Sequence, residues 1–179
     1  MITAQKFRGR KTATVAAFAL LAAGMTGCSA VNQQATTMHY AASDGIVFDV
    51  ASIEARNLML VTNSADQKAR FIGSLINDTD QPASVELTVD GNSATIEVPR
   101  KSSVELEDDA NKTVLPRAGV EPGSHADLTV KVGASSATES LPVVNGALPE
   151  YRPYLPEGYN ADTVKHLEPT APILKPEGH

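Results

Sequence analysis

Aromatic residues and cysteine are scarce in this chain. It has no tryptophan, one cysteine and 4% aromatic residues among 179 positions. Any hydrophobic core must therefore be aliphatic, and a single cysteine excludes both an internal disulfide framework and a multi-cysteine metal site. The formal net charge is -6. Because nucleic-acid binding requires a positively charged face, we expect no nucleic-acid partner.

The first 27 residues have the pattern of an export signal. Four basic residues, Lys6, Arg8, Arg10 and Lys11, precede an apolar run over residues 13–24, and no acidic residue occurs before Asp44. The run is shorter than the roughly 20 apolar residues that a membrane-spanning helix needs. A basic segment followed by a short apolar segment predicts a signal peptide over residues 1–27.

The only cysteine, Cys28, directly follows Met25-Thr26-Gly27. This arrangement resembles the lipobox of bacterial lipoproteins, although Met25 stands where leucine is usual. The resemblance implies that Cys28 is the first mature residue and carries diacylglycerol on its sulfur, which anchors the chain to the extracytoplasmic face of the cell membrane. An ordinary signal peptide, or an uncleaved anchor with an incidental cysteine, is the alternative.

Cleavage before Cys28 removes four of the 15 basic residues and none of the 21 acidic ones, which leaves a formal charge of -10. Residues 28–43 are small and polar without periodicity, and we interpret them as a lipidated flexible tether. An acidic domain on such a tether is expected to stand off an anionic membrane surface.

Short strand-like runs follow over residues 44–147, which we predict to form one domain. Apolar residues at positions 85, 87 and 89, and again at 128, 130 and 132, alternate strictly with polar residues between them, which is typical of half-buried strands. Asp90-Gly91 is a hairpin signal. Eight such runs within about 100 residues predict an all-β fold, a single antiparallel β-sandwich that is immunoglobulin-like or cupredoxin-like in architecture only. The predicted runs cover residues 46–50, 58–61, 69–76, 85–89, 94–98, 104–106, 128–132 and 137–144.

The composition changes in residues 148–179, the predicted C-terminal tail. Seven of the 11 prolines lie between Pro142 and Pro176, and three of the four tyrosines are Tyr151, Tyr154 and Tyr159. Proline prevents this segment from continuing a central strand, so we predict a disordered tail. The alternative is a partner-binding strip in which the three tyrosines act as amphipathic anchors.

Four stretches of the domain resemble a known family. The lipobox, the tether and the strand order are similar to those of the LpqE-like lipoproteins of actinobacteria, which share their layout with the periplasmic copper chaperones called PCu(A)C. The resemblance implies an accessory role in an envelope membrane-protein complex, the cytochrome bcc-aa3 respiratory supercomplex. It covers residues 44–147, and its stretches are 53–58 (IEARNL), 70–77 (RFIGSLIN), 114–123 (VLPRAGVEPG) and 141–144 (LPVV).

The copper branch of that resemblance implies a His and Met ligand set, because thioether and imidazole ligands suit Cu(I). No His or Met occurs between Val85 and Gly123. The remaining weak candidates are Met38, His39 and His125, so a copper-binding accessory factor for the oxidase is the alternative function.

Catalytic motifs are missing from the sequence. It has no G-x-S-x-G, no HExxH and no phosphate-binding glycine loop. Paired acids such as Asp78 and Asp80 have no EF-hand spacing and are interpreted as turn residues. We therefore expect a non-enzymatic protein without a cofactor other than the lipid on Cys28, whose oligomeric state the sequence leaves open.

Overall fold

The structure is a computed structural model that describes residues 44–167. The predicted signal peptide, the lipidation site Cys28, the tether with Met38 and His39, and residues 168–179 lie outside the described residues. No helix among the described residues is long and apolar enough to cross a membrane. The domain boundaries of the sequence analysis stay a prediction.

Nine β-strands and three short 3-10 helices make up the described residues, so the all-β prediction is confirmed. The 3-10 helices are Asp109–Asn111, Pro149–Tyr154 and Ala161–Leu167. The strands are β1 (Ile46–Val50), β2 (Ile53–Val61), β3 (Ala69–Asn77), β4 (Ala83–Val89), β5 (Asn92–Val98), β6 (Ser102–Glu105), β7 (Thr113–Leu115), β8 (His125–Val132) and β9 (Ser135–Val144).

The alternating strands behave as their sequence predicts. Apolar side chains at every second position of β4 and β8 are buried, and those between them are exposed or half-buried. The turn between β4 and β5 places both Asp90 (φ 47°) and Gly91 (φ 73°) in the left-handed region. Two such residues define the hairpin turn that the Asp-Gly pair predicts.

The prediction of purely antiparallel pairing is wrong for one pair of strands, β2 and β9. Strand β9 pairs antiparallel with β8 along its first eight residues and then parallel with β2 through Val143 and Val144. No short turn joins β2 to β9, so no local signal fixes their relative direction. The result is one mixed sheet in the order β5-β4-β8-β9-β2-β3-β6. In addition, β1 pairs with β2, and β7 pairs with β3. A two-layer sandwich stays a prediction.

The main core lies on the inner face of this sheet. Leu58, Phe71, Leu87, Leu128 and Leu141 belong to one apolar cluster and are fully buried. Strand β5, at one end of the sheet, lies beside β7 near the other end, so the sheet curls around its core. The core is almost entirely aliphatic, as the scarcity of aromatic residues requires.

A bulge at Asn57 changes which side chains of β2 face outward. Ile53 and Ala55 point into the main core, and after the register shift between Arg56 and Met59 it is Leu58 and Leu60 that do so. One extra residue reverses the alternation of the strand beyond it. Met59 and Val61 are therefore displayed on the outer face of the sheet, where they require a separate cover.

Candidate functional site

The cover for the outer face is the first part of the predicted tail. Residues 148–159, here called the strap, fold back across β2 and β3. Tyr151 and Leu155 bury their side chains against Met59, Val61 and Ile72 in a second apolar cluster. Residues 148–167 were predicted as disordered tail, and the structure instead gives them two 3-10 helices. Burial explains the order of the strap, because the large apolar side chains of Tyr151 and Leu155 cover an apolar face of the sheet. The helix Ala161–Leu167 buries no residue.

Polar contacts hold the strap at both ends. The Tyr151 hydroxyl donates a hydrogen bond to the carboxylate of Asp44, the first described residue. At the other end, Asn63 Nδ2 donates to the carbonyl oxygen of Gly158 at 3.0 Å. Arg152 Nε of the strap donates to the carbonyl oxygen of Gly146, just before the strap, at 2.9 Å. The contacts with Asp44 and Asn63 join the strap to the two ends of the β1–β2 region.

Two arginines lie over strap tyrosines. The guanidinium carbon of Arg70 is 5.3 Å from the ring centre of Tyr154, and that of Arg152 is 4.1 Å from the ring centre of Tyr159. Such contacts are worth about 0.5–2 kcal/mol each. Arg70 is only 2% exposed and also donates to the carbonyl oxygens of Leu106 and Glu107 at 3.0 and 2.7 Å. It connects the strap to the turn after β6.

The three tyrosines predicted to bind a partner therefore occupy different environments. Tyr151 is 8% exposed, Tyr154 is half-buried, and Tyr159 is 40% exposed. The first two contact their own domain, which leaves Tyr159 as the accessible ring. A partner-binding role for the tyrosines stays a prediction.

A cavity of about 220 Å³ opens between the strap and the second half of the tail. Pockets that hold small molecules usually measure roughly 300–1,000 Å³, so this one suits a side chain better than a metabolite. Its lining is mainly apolar and comes from the loop before β8, the end of β9, the strap and the last 3-10 helix. The lining residues that matter below are Pro122, Val143, Leu148, Tyr151, His166 and Leu167.

Two exposed apolar side chains, Leu148 and Leu167, line this cavity, and the exposed ring of Tyr159 lies against Gly146 beside it. Four large hydrophobic residues are exposed among those described: Val47 in β1, and Leu148, Tyr159 and Leu167, at 49%, 40% and 56%. Leu148 and Leu167 line the cavity mouth. The cavity with Leu148, Tyr159 and Leu167 is here called the C-terminal face. Sequence analysis found Tyr159 but missed both leucines, since isolated leucines within a Pro-rich segment form no periodic pattern.

The candidate metal ligands form no cluster within the described residues. His125 is exposed at the start of β8. Among residues 44–167, no group of three His, Cys, Asp or Glu side chains is close enough to hold a metal ion. Met38 and His39 lie outside the described residues. Copper binding stays a hypothesis.

The attachment of the strap should depend on pH through Tyr151. Burial, the hydrogen bond to Asp44 and the charges of Asp44 and Glu150 raise the pKa of Tyr151 from 10.0 to about 12. A released strap would expose a phenol with the ordinary pKa. The stabilising contribution is therefore fully present below pH 10 and is lost as the pH rises through about 12. Methyl NMR of Leu155 across this range should show the strap leaving the sheet.

Tyr151→Phe provides the test of that assignment. Loss of the hydrogen bond should weaken strap attachment by about 1 kcal/mol at neutral pH and abolish most of the pH dependence above pH 10. Tyr159→Phe, at an exposed ring, is the matched control and should behave like the wild type. An unchanged pH profile in Tyr151→Phe would assign the transition to another group.

Comparison with known proteins gives structural neighbours only. No family model and no curated protein matches the sequence. Two similar solved structures are a copper-bound PCuAC domain from PmoF2, with 15% identity and a TM-score of 0.42, and an apo PCuAC domain from PmoF1, with 17% identity and a TM-score of 0.43. Each alignment covers 56% of this chain, and 98% and 99% of those domains. At these values, the likeness assigns neither a copper site nor any other function to the chain.

Proposed function

We propose that this chain is a non-enzymatic binding module, anchored by lipid on Cys28, that attaches to an envelope protein complex through its C-terminal face. The observation that carries the proposal is the exposure of Leu148 and Tyr159 on the strap, which is fixed to the domain, together with that of Leu167 at the cavity mouth. Large exposed apolar side chains around a cavity are typical of protein interaction sites. The resemblance to LpqE-like lipoproteins names the cytochrome bcc-aa3 supercomplex as the first partner to look for.

The way the segment is fixed supports this role. A docking surface gains affinity when its side chains are already held in place, since less conformational entropy is lost on binding. Tyr151 and Leu155 are buried, and Asn63 and Asp44 fix the strap by hydrogen bonds. Leu148 and Tyr159 flank these fixed residues and remain exposed. The strap thus exposes apolar side chains to solvent while its backbone is held against the domain.

Charge substitution on the C-terminal face should abolish partner capture. The tagged full chain is extracted from membranes in mild detergent, and the proteins that co-purify are quantified by mass spectrometry. We expect Leu148→Glu or Leu167→Glu to reduce the stoichiometric yield of the partner about tenfold or more, because a carboxylate would be desolvated at an apolar contact.

Val47→Glu is the matched control for this experiment, because Val47 is 41% exposed but lies on β1. It introduces the same charge at an exposed apolar residue outside the C-terminal face and should leave capture unchanged. Equal capture by the Leu148, Leu167 and Val47 variants, or a wild-type chain that purifies alone, would refute the proposed function.

A further inference from the structure

Charge distinguishes the C-terminal face from an ordinary apolar patch. Glu121 and Glu150 are exposed, and each stands next in sequence to a residue that lines the cavity. Among residues 44–167, neither carboxylate has a Lys or Arg nitrogen within salt-bridge distance. The carboxylate of Asp44 accepts its hydrogen bond from Tyr151, a cavity-lining residue.

Two basic residues of this region, Lys165 and Arg152, make contacts within the chain, whereas His166 lines the cavity itself. Lys165 pairs with Asp162 at 2.5 Å. Arg152 donates to the carbonyl oxygen of Gly146, and its guanidinium lies over the ring of Tyr159. Hydrogen bonding and stacking leave the charge of Arg152 in place, so Arg152 and Lys165 supply two positive charges against the four carboxylates of Asp44, Glu121, Glu150 and Asp162. These groups leave a formal excess of two negative charges, and the negative charges of Asp44 and Glu150 both raise the pKa of Tyr151.

We propose that the C-terminal face binds a cationic segment of a partner protein, with one apolar side chain in the cavity and Lys or Arg residues beside Glu121 and Glu150. This inference rests on the proposed function and adds the chemistry of the partner. The size of the cavity, about 220 Å³, selects a side chain. The acidic surroundings favour a partner with Lys or Arg residues beside that apolar side chain, because complementary potentials speed association and disfavour like-charged partners.

The inference can be tested without a known partner, because the chain contains no tryptophan. The probe is a synthetic peptide that alternates Lys and Leu around one central Trp, and its fluorescence reports binding to the full chain. The comparison peptide carries Glu in place of every Lys. We expect the Lys peptide to bind at least tenfold more tightly, and this preference should shrink with added salt, since exposed charges are screened.

Two variants locate the binding. Glu150→Lys should weaken binding of the Lys peptide about threefold to tenfold, because an attraction is replaced by a repulsion. Glu97→Lys, on the exposed face of β5, makes the same change in net charge and should have a much smaller effect. Leu148→Gln, which changes no charge, should also weaken binding. Equal affinity for both peptides, equal effects of the two Glu variants, or no effect of Leu148→Gln would overturn the inference.

The membrane experiment separates this inference from the proposed function. If Leu148→Glu abolishes partner capture while Glu150→Lys captures as well as Glu97→Lys, the docking face stands and the cationic partner is wrong. If Leu148→Glu also leaves capture unchanged, the docking face itself is wrong.

Discussion

Leu87→Asp is expected to unfold the domain. Leu87 is fully buried in β4, which pairs with β5 on one side and with β8 on the other. Its side chain belongs to the main core, where no cation can neutralise a new carboxylate at the centre of an aliphatic cluster. Burying an unpaired carboxylate costs several kcal/mol, about as much as the whole stability of many small domains. A thermal melt followed by circular dichroism should lose its cooperative transition.

The control for Leu87→Asp lies on the same strand. Ser84 is exposed, and its side chain points away from the core. Ser84→Asp therefore introduces the same carboxylate at a solvated position, where we expect a change in the free energy of unfolding of about 0.5 kcal/mol or less. If both variants melted like the wild type, the inward face of β4 would be wrongly assigned.

The strands that the sequence predicts best are those whose form follows from one local pattern, the alternation of apolar and polar residues. Strands β4 and β8 alternate strictly, and the turn at Asp90 and Gly91 requires positive φ, so their form follows from local chemistry. Strand β7 has three residues and too little pattern to be recognised. The parallel pair of β2 and β9 depends on a contact between residues more than 80 positions apart, which no local pattern encodes.

The C-terminal face shows why the candidate site was only partly predictable. The bulge at Asn57 turns Met59 and Val61 outward, and only this change makes an apolar face available for the strap. In the sequence, Met59 is one of four consecutive apolar residues in the predicted strand run 58–61, and this pattern does not show that it faces away from the main core. As long as this outer apolar face is not recognised, no surface is known on which the proline-rich segment could pack, and the sequence then predicts disorder. Tyr151 and Leu155 become interpretable only once their binding surface exists.

Cys28→Ser is expected to abolish the lipid anchor and to leave the protein uncleaved and released or mislocalised. The predicted anchor places acyl chains on the sulfur of Cys28, and each buried methylene contributes roughly 0.8 kcal/mol to membrane binding. A serine hydroxyl offers no thiolate for the lipid thioether, so the variant should also stay uncleaved by the lipoprotein peptidase. Partitioning between detergent and aqueous phases, with mass spectrometry of the N-terminus, measures both effects. Ser29→Ala is the neighbouring control, and unchanged partitioning of Cys28→Ser would contradict lipidation.

The Cys28→Ser protein also separates lipid anchoring from docking. The C-terminal face is built from residues 122–167 and does not include the predicted lipid. The unlipidated Cys28→Ser protein should therefore still bind the partner in a detergent extract, although with a lower yield on intact membranes, because the anchor raises the effective concentration of the module near a membrane-bound partner. If binding in the extract disappeared together with the lipid, capture of the wild type would reflect shared detergent micelles rather than docking through Leu148 and Leu167.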